Sequence, residues 1–387
     1  MSQRPLTVML VAAEASGDDR GAGLARAIRG RLGDRVRFVG VGGQRLAAEG
    51  VESPFEISDL SIFGLLEGLL AYPMVVRRAD DTAAIAARER PDVAVLIDSW
   101  GFTLRVAHRL RRLDPKLPLV KYVAPQVWAS RPGRATTAAK WFDLLLTIHS
   151  FEAPLFERAG LKTMFVGDAT LAIDFSAADP GRLRREIGAG PDDPILLVLP
   201  GSRPVEIERV MPAFEDAVTL LKAERPGLHV VVPAAPTVAD LVKTRVAGWP
   251  YRAHVLEGDA AKRDAMKATT VALACSGTVT TELALAGCSM VVGYRLGPFT
   301  HAMLKRLIRT RWITLFNIAA QDFVAPEMIQ GDCNGPTLAR EIAIRLDDAD
   351  LRRRQVARQN EALLKMGRGG PDPSEAAATA VLGLHRR

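Results

Sequence analysis

The chain alternates short, uniformly apolar runs with longer stretches in which apolar and polar residues mix. Apolar runs of this length, bounded by glycine and polar residues, predict strands that are buried on both faces of a parallel sheet. In the first half we place such strands at residues 6–13, 37–41, 93–97, 119–123, 144–148 and 163–167. A helix predicted from about 19 to 32 connects the first two strands, so the chain opens with a β-α-β unit of a doubly wound α/β fold.

The alternation is interrupted at residues 168–194, where Asp, Gly, Pro and Ala replace the apolar runs. We interpret this segment as a linker between domains. Beyond it the pattern restarts, with predicted helices at 205–223, 238–246 and 260–267 and predicted strands at 195–199, 229–232, 254–256, 270–274 and 289–295. Two α/β halves of similar size follow from this arrangement, and the stretch from about 337 to 384 predicts charged helices.

Length and charge narrow the class of protein. A chain of 387 residues is expected to form two domains of ordinary size. Lys and Arg outnumber Asp and Glu by 51 to 44, which gives a formal net charge of +7. This excess suggests an anionic ligand or an anionic membrane surface, but it is too dispersed to indicate a nucleic-acid partner. We expect neither a signal peptide nor a run of about 20 apolar residues that could span a bilayer.

The sequence offers no metal or cofactor signature. The three cysteines form no CxxC pair and the six histidines are scattered without an HExxH motif, so structural zinc, disulfides and a catalytic metal are not expected. The first turn lacks the GxGxxG fingerprint, and no P-loop or GxSxG motif occurs, which argues against nicotinamide enzymes, P-loop enzymes and serine hydrolases. We therefore predict that the site contains no metal and uses no cofactor.

The stretch 62–76 is apolar on nearly all sides and ends in Arg77-Arg78. It is too short to span a membrane. One interpretation is a helix buried between the sheet and a loop. The other is an element that dips into a membrane, with Phe63, Leu66 and Leu69 contacting lipid acyl chains and the arginines reaching the headgroups.

Two turns in the second half predict an anion site. Ser276-Gly277-Thr278 and Gly201-Ser202-Arg203 each join a buried strand to a helix, and small residues at such turns leave backbone N–H groups free at the positive end of the helix. We expect them to bind a nucleotide diphosphate, with Arg203 neutralising charge and Glu282, in the first turn of its helix, accepting from ribose hydroxyls. Ordinary capped turns and simple dipole complementarity are the alternatives.

Polar residues also end two strands of the first half. Asp98 follows the strand 93–97, and ligands of open α/β sheets bind outside the carboxyl ends of strands. A carboxylate there suits a general base for a hydroxyl. Glu14 and Ser16 end the first strand on the same side of the sheet. The alternative roles are helix capping for Asp98, and turn formation and N-capping for Glu14 and Ser16.

Seven short motifs occur in order between about residue 6 and residue 335. They are residues 14–18 (EASGD), 97–98 (ID), 122–129 (YVAPQVWA), 199–203 (LPGSR, followed by Glu206-Ile207), 276–278 (SGT), 291–295 (VVGYR) and 326–330 (PEMIQ). Each motif alone is weak, but the ordered set is specific. It resembles the family of lipid-A-disaccharide synthases.

The resemblance implies a GT-B glycosyltransferase, with two Rossmann-like parallel-sheet domains facing a cleft and a C-terminal helix crossing back to the first domain. Residues 1–170 would form the acceptor domain, which includes the element 62–76. Residues 171–350 would bind the UDP-sugar, and the terminal helices in 351–387 would pack on the first domain. The family enzyme works on the cytoplasmic side, peripheral to the inner face of the inner membrane, and dimers are known in it.

The implied reaction joins UDP-2,3-diacylglucosamine to 2,3-diacylglucosamine 1-phosphate (lipid X), with inversion, to give lipid A disaccharide 1-phosphate and UDP. Asp98 matches the proposed general base, Arg203 and the Ser276–Glu282 turn match the UDP-binding segment, and Asn317 matches a polar position near the active site. The sequence departs from the family pattern at Ser130, Ser150, Asp168 and Thr281. These departures concern the acceptor and its acyl chains, and they leave the base and most phosphate-contacting positions in place.

Two other classes of protein remain open from the residues alone. One is a different GT-B enzyme, such as a UDP-N-acetylglucosamine 2-epimerase or a lipid-linked N-acetylglucosaminyl transferase. The other is a non-catalytic protein that binds a UDP-sugar at a membrane. Only the synthase needs both diacylglucosamine substrates for UDP release.

Overall fold

The computed structural model describes residues 4–60, 71–297 and 310–385. The chain divides into two compact units, one formed by residues up to Asp168 together with those from Gly370 onward, and the other by Ala169–Gly369. Each unit contains a six-stranded parallel sheet with helices on its faces. This is the predicted pair of Rossmann-like domains, and the α/β fold class is confirmed.

The first unit has the strand order β2-β1-β3-β4-β5-β6. Its strands are β1 (Leu6–Ala12), β2 (Val36–Val41), β3 (Val93–Ile97), β4 (Leu119–Tyr122), β5 (Leu144–Thr147) and β6 (Thr163–Phe165). The described helices are Ala15–Leu32, Gln44–Ala47, Tyr72–Glu89, Trp100–Leu113, Arg134–Trp141, Ala153–Glu157 and the last helix of the chain, Pro373–His385.

The second unit has the order β12-β11-β10-β7-β8-β9. Its strands are β7 (Ile195–Leu199), β8 (His229–Pro233), β9 (His254–Leu256), β10 (Val271–Cys275), β11 (Met290–Tyr294) and β12 (Glu327–Ile329). The described helices are Pro180–Ile187, Pro204–Glu224, Ala239–Ala247, Asp259–Ala268, Thr278–Ala286, Leu315–Ala320, Gly335–Asp347 and Ala349–Lys365.

The central strands lie inside the sheets because they carry apolar side chains on both faces. Every residue of β1, β3, β7 and β10 is buried, as expected for a parallel sheet covered by helices on both sides. The first helix begins at Ala15 rather than near residue 19, because small residues let its first turn approach the sheet. A Cβ at Gly17 would contact the Cβ atoms of Ala12 and Asp98 at 3.4 and 3.6 Å.

The segment 168–194 begins at the boundary between the two units, as predicted, but it is not only a linker. It contains the helix Pro180–Ile187, whose Leu183 and Ile187 are buried in the second unit. Asp179 caps the helix by accepting from the backbone N–H of Arg182 at 3.0 Å. The buried carboxylate of Asp264 accepts from the Asp179 N–H at 2.7 Å and holds the start of the helix in place. The helix is only eight residues long and polar on one face, so its apolar pattern is weak in the sequence.

The end of the chain is shared between the units. The helix Ala349–Lys365 lies in the second unit, which continues to Gly369, beyond the predicted boundary at 350. The last helix, Pro373–His385, packs on Ala15–Leu32 in the first unit, where Arg31 forms an ion pair with Glu375 at 2.6 Å. The predicted return of the C-terminal helix to the first domain is therefore confirmed.

Two predicted apolar elements fall wholly or partly outside the described ranges. The sequence also predicts an apolar helix at 298–308, which lies outside these ranges, as do Phe63, Leu66 and Leu69. The end of the 62–76 stretch is described, and it begins the helix Tyr72–Glu89, whose Met74 and Val75 pack against the core. Among the helices of the described ranges, none is long and apolar enough to cross a membrane.

Candidate functional site

Each sheet reverses its strand order at one point, and the predicted site residues follow the strands at these points. In the first unit, β1 lies between β2 and β3, and Ala12 is paired with Ile97. In the second unit, β7 lies between β8 and β10, and Leu199 is paired with Ala274. Ligands of open α/β sheets bind outside the carboxyl ends of strands at such switch points. Both halves therefore present candidate residues where the topology favours a ligand.

At the first switch point the backbone turns sharply after β3. Asp98 and Ser99 have φ angles of 50° and 35°, which is the left-handed region that non-glycine residues rarely adopt. The carboxylate of Asp98 accepts from the Ser99 N–H at 2.9 Å and from the Ser16 hydroxyl at 3.2 Å. The Arg20 guanidinium lies 3.9 Å from the same carboxylate. The structure thus brings Ser16 and Asp98 together and leaves the Asp98 side chain about one-third exposed.

Glu14 lies at the N-cap position of the helix that carries Ser16 and Arg20. Its carbonyl accepts from the N–H of Asp18 at 2.9 Å. The Asp18 carboxylate has a structural role, since it accepts from the N–H groups of three residues around the short helix Gln44–Ala47. The motif 14–18 therefore contains Ser16, which contacts Asp98 at the switch point, and Asp18, which holds the turn at Gln44–Ala47 in place.

A second group of residues at this sheet edge was assigned no role from the sequence. The Trp128 indole N–H donates to Glu152 at 3.3 Å, and His149 stacks on Phe151 with ring centroids 5.3 Å apart. Burial raises the pKa of Glu152 to about 8 and lowers the pKa of His149 to about 4. Near neutral pH both groups are therefore mostly uncharged. Their location beyond β5, at the carboxyl edge of the sheet, was the signal that could have found them.

The second switch point opens into a cavity of about 500 Å³ within the second unit. All seven residues predicted to bind UDP line it: Gly201, Ser202, Arg203, Ser276, Gly277, Thr278 and Glu282. The sequence analysis missed the opposite wall, which is supplied by the ends of β8 and β9 and includes Pro233, Ala234, Pro236, Leu256 and Gly258. Pockets of roughly 300–1,000 Å³ with apolar walls and a few polar groups suit small organic ligands.

The Ser276–Thr278 turn supplies the positive end of a helix to this cavity. Gly277 is the N-cap of Thr278–Ala286, and a Cβ added there would meet no atom within 4 Å. The first N–H groups of a helix have no partner within the helix, so they are available to an anion. Nearby, burial raises the pKa of the Cys275 thiol to about 12, which keeps this thiol protonated near neutral pH.

The Gly201–Arg203 turn has a partner that the sequence analysis did not identify. The carboxylate of Glu206 accepts from the N–H groups of Ser202 and Arg203 at 3.0 and 3.3 Å, and it lies 3.2 Å from the Arg203 guanidinium. Gly201 has φ 124°, and a Cβ there would lie 2.7 Å from Glu206. Glu206 therefore offsets the unfavourable placement of an arginine at a helix N-terminus.

Glu282 does not lie in the first turn of its helix, and that prediction was wrong. The helix begins at Thr278, so Glu282 is its fifth residue. Its carboxylate forms an ion pair with Lys262 at 2.8 Å, and the side chains of both residues are largely buried. The pair closes one side of the cavity, and Lys262 is a functional candidate that the sequence analysis missed.

Asn317 is fully buried and does not line the cavity. Its amide donates to the Ala325 carbonyl and to Glu327, each at 2.9 Å, and its oxygen accepts from the N–H groups of Val324 and Ala325. These contacts hold the loop before β12 in place. A catalytic role for Asn317 stays a prediction, while its described contacts are structural.

Metal ligation has no candidate in the part of the chain that the structure describes. No three His, Cys, Asp or Glu side chains there are placed to hold a metal ion. In the second unit, the helix N-termini and cationic side chains such as Arg203 and Lys262 are groups that can stabilise an anion.

Sequence similarity identifies the relatives of this chain. The family model for lipid-A-disaccharide synthetase matches residues 8–381. The lipid-A-disaccharide synthase of Rhodospirillum centenum is 42% identical over 381 residues, covering 98% of this chain and 95% of the relative. The synthase of Paramagnetospirillum magneticum is 39% identical over 384 residues, covering 99% and 98%.

Solved structures show the same fold at low sequence identity. A co-structure of S. aureus MnaA with UDP has a TM-score of 0.62 at 13% identity, covering 96% of this chain and 94% of that chain. The calicheamicin glycosyltransferase CalG4 has a TM-score of 0.58 at 15% identity, covering 99% of both chains. These similarities support the GT-B fold and carry no further conclusion about the reaction.

Proposed function

The chain belongs to the lipid-A-disaccharide synthetase family, and we propose that it is an inverting hexosyltransferase of lipid A biosynthesis. In this proposal it transfers 2,3-diacylglucosamine from UDP-2,3-diacylglucosamine to the 6-hydroxyl of 2,3-diacylglucosamine 1-phosphate and releases UDP. The observation that carries the proposal is the cavity of the second unit, which is lined by both predicted phosphate turns.

The cavity suits a nucleoside diphosphate in size and in the distribution of its polar groups. Its volume of about 500 Å³ and its apolar wall of proline, alanine and leucine fit a nucleobase. The Ser276–Thr278 helix start and Arg203 lie where they can bind the diphosphate, and Glu282 can accept from a ribose hydroxyl. Because Glu206 already occupies two N–H groups of the upstream turn, the Ser276–Thr278 turn is the stronger phosphate site.

The transfer needs one base and one means of stabilising a leaving group. Asp98 takes the proton from the acceptor hydroxyl as that oxygen forms a bond to the sugar C1, and the bond from C1 to the UDP oxygen breaks on the opposite face. The electron pair leaves with UDP, whose growing charge is stabilised by Arg203 and the helix N-terminus. The Ser99 N–H and the Ser16 hydroxyl hold the Asp98 carboxylate in one orientation.

One assay tests the reaction. Purified protein is incubated with UDP-2,3-diacylglucosamine, with lipid X, and with both, and UDP release is measured together with the lipid product. The proposal predicts UDP and a disaccharide phosphate only when both substrates are present. Release of UDP from the donor alone would favour an epimerase or hydrolase, and UDP binding without turnover on any lipid acceptor would favour a non-catalytic binder.

We also propose that the protein binds the surface of a membrane through the 62–76 stretch, because both substrates carry acyl chains. The groove beside the helix that starts at Tyr72 contains three arginines that could meet anionic headgroups: Arg105, Arg109 and Arg112. Changing Phe63, Leu66 and Leu69 to Ser should reduce binding to anionic liposomes. Changing the exposed Leu220, Ile344 and Leu364 to Ser is the matched control, and equal loss in both triple variants would contradict the proposal.

A further inference from the structure

Lys121 is a lysine inside a central strand of the first sheet. It lies in β4, between β3 and β5, and only 1% of its surface is exposed, which makes it one of the largest fully buried side chains in the described chain. Burying an ammonium without partners is very costly, so a buried lysine at such a position needs compensating contacts. No role for this residue was predicted from the sequence.

The described side-chain hydrogen bonds of Lys121 are made to the turn that carries Asp98 and to the helix that follows this turn. Its Nζ donates to the backbone carbonyl of Asp98 and, at 3.0 Å, to the hydroxyl of Thr103. The Thr103 hydroxyl in turn lies 3.0 Å from the carbonyls of both Asp98 and Ser99. The described hydrogen bonds to the Asp98 carbonyl therefore come from two buried side chains beneath the turn.

This turn is where the backbone is strained. Asp98 and Ser99 are consecutive non-glycine residues with positive φ, and such conformations persist only where surrounding contacts hold them. The N–H of Asp98 is bound to the Tyr122 carbonyl at 2.9 Å, next to Lys121 in the chain. Strand β4 thus binds both backbone polar groups of Asp98. The Tyr122 carbonyl accepts from its N–H, and the Lys121 Nζ donates to its carbonyl.

Charge provides an independent argument. The two carboxylates that interact electrostatically with Lys121 are those of Asp98 and Glu14, and both favour its charged form. Desolvation acts against the charge and lowers the pKa of Lys121 to about 7. Below that pH Lys121 is therefore a cation that interacts with both carboxylates.

We propose that Lys121 is a positioning residue for Asp98, which holds the left-handed Asp98–Ser99 turn from beneath and supplies positive charge opposite the Asp98 and Glu14 carboxylates. The inference rests on the proposed function, in which Asp98 is the general base. It predicts that loss of Lys121 slows the chemical step while the binding of UDP-sugar in the second unit is unaffected.

The test compares Lys121→Met, which removes both the charge and the donor, with Lys121→Gln, which keeps a donor without charge. Lys121→Met should lower kcat by about 10- to 100-fold and leave the KM for UDP-2,3-diacylglucosamine within about twofold. Lys121→Gln should recover part of kcat.

Lys222→Met is the matched control. Lys222 also donates from Nζ to backbone carbonyls, those of Pro226 and Leu228, but it lies in the second unit. Folding of each variant is checked by circular dichroism and thermal unfolding. A folded Lys121→Met protein with wild-type kcat would overturn the inference, and so would failure of both Lys121 variants to fold, which would assign the residue to stability alone.

Asp98→Asn separates this inference from the proposed function. If Asp98→Asn is inactive and the Lys121 variants behave as wild type, only the role of Lys121 is refuted. If Asp98→Asn keeps near-native turnover, the assignment of the base is refuted whatever the Lys121 variants show.

Discussion

The two units place very different chemistry at the same topological position. At the switch point of the first unit, side chains dominate: Asp98, Ser16 and Arg20 meet at a turn built from left-handed non-glycine residues. At the switch point of the second unit, the turns contain Gly201 and Gly277, and the cavity beside them has apolar walls.

The difference indicates a division of labour between the two sheet edges. Glycine turns allow a ligand to approach the backbone closely, which suits the binding of a diphosphate that is the same in every turnover. A strained turn that fixes a single carboxylate suits proton transfer, which depends on orientation as well as charge. In the proposed function, the same β-α alternation would supply a base in one unit and a binding site for the leaving group in the other.

Replacing Asp98 by Asn should have the largest effect on turnover. If Asp98 is the base, kcat should fall by about 10²–10⁴-fold while the KM for the UDP-sugar changes little. Steady-state kinetics with both lipid substrates measures this. Asp92→Asn is the matched control, since Asp92 precedes β3 and accepts from the Thr7 N–H at the other end of the strand. Near-native turnover of Asp98→Asn would remove the first switch point from the mechanism.

Replacing Arg203 by Ala should impair the use of the UDP-sugar. Loss of one charged contact to the diphosphate should lower kcat/KM for the UDP-sugar by about 10- to 100-fold. The control is Arg225→Ala, because Arg225 caps the other end of the same helix and pairs with Asp347. Unchanged kinetics would mean that Glu206 keeps Arg203 away from the phosphates.

The Lys262–Glu282 pair allows a finer test of the cavity. Glu282→Gln should weaken UDP binding by about 3- to 10-fold if the carboxylate accepts from the ribose. Lys262→Met should have a smaller effect, and the double variant should show a coupling of about 0.5–1 kcal/mol. Calorimetric titration of UDP into the four proteins of this cycle gives the coupling. Additive effects would show that the two residues act independently on the nucleotide.

The last prediction concerns the stability of the protein rather than its activity. Burial raises the folded-state pKa of Glu152 from 4.5 to about 8, so the folded protein binds more protons than the unfolded chain between these values. Wild type should therefore lose stability relative to Glu152→Gln as the pH rises from about 4.5 to 8, by at most about 1.4 kcal/mol per pH unit. Urea unfolding at several pH values measures the difference, and a constant difference would contradict it.

Much of the fold could be predicted because its strands are buried on both faces. Runs such as 93–97 and 195–199 are uniformly apolar, and the structure begins and ends β3 and β7 at those residues. The positions of Asp98 and Gly201 at the carboxyl ends of these strands follow from the same pattern. Short elements with few apolar residues, such as Pro180–Ile187 and Glu327–Ile329, give too weak a pattern to be recognised.

The partners of the site residues could not be predicted, because they come together only in the folded chain. Glu206 and Lys262 are ordinary charged helix residues in the sequence, and neither was assigned to the site from the pattern of charges alone. Lys121 interrupts an apolar strand and gives no sign of its contact with the Asp98 carbonyl. The left-handed conformation of Asp98 is equally hidden, since no glycine marks it.

Titration of UDP into wild type, Asp98→Asn and Arg203→Ala tests the division of labour most directly. Isothermal titration calorimetry without lipid substrates isolates nucleotide binding from turnover. Asp98→Asn should bind UDP with an affinity within about twofold of wild type, whereas Arg203→Ala should bind it about 10-fold more weakly. If Asp98→Asn lost UDP binding while Arg203→Ala kept it, the assignment of base and nucleotide site to the two switch points would be contradicted.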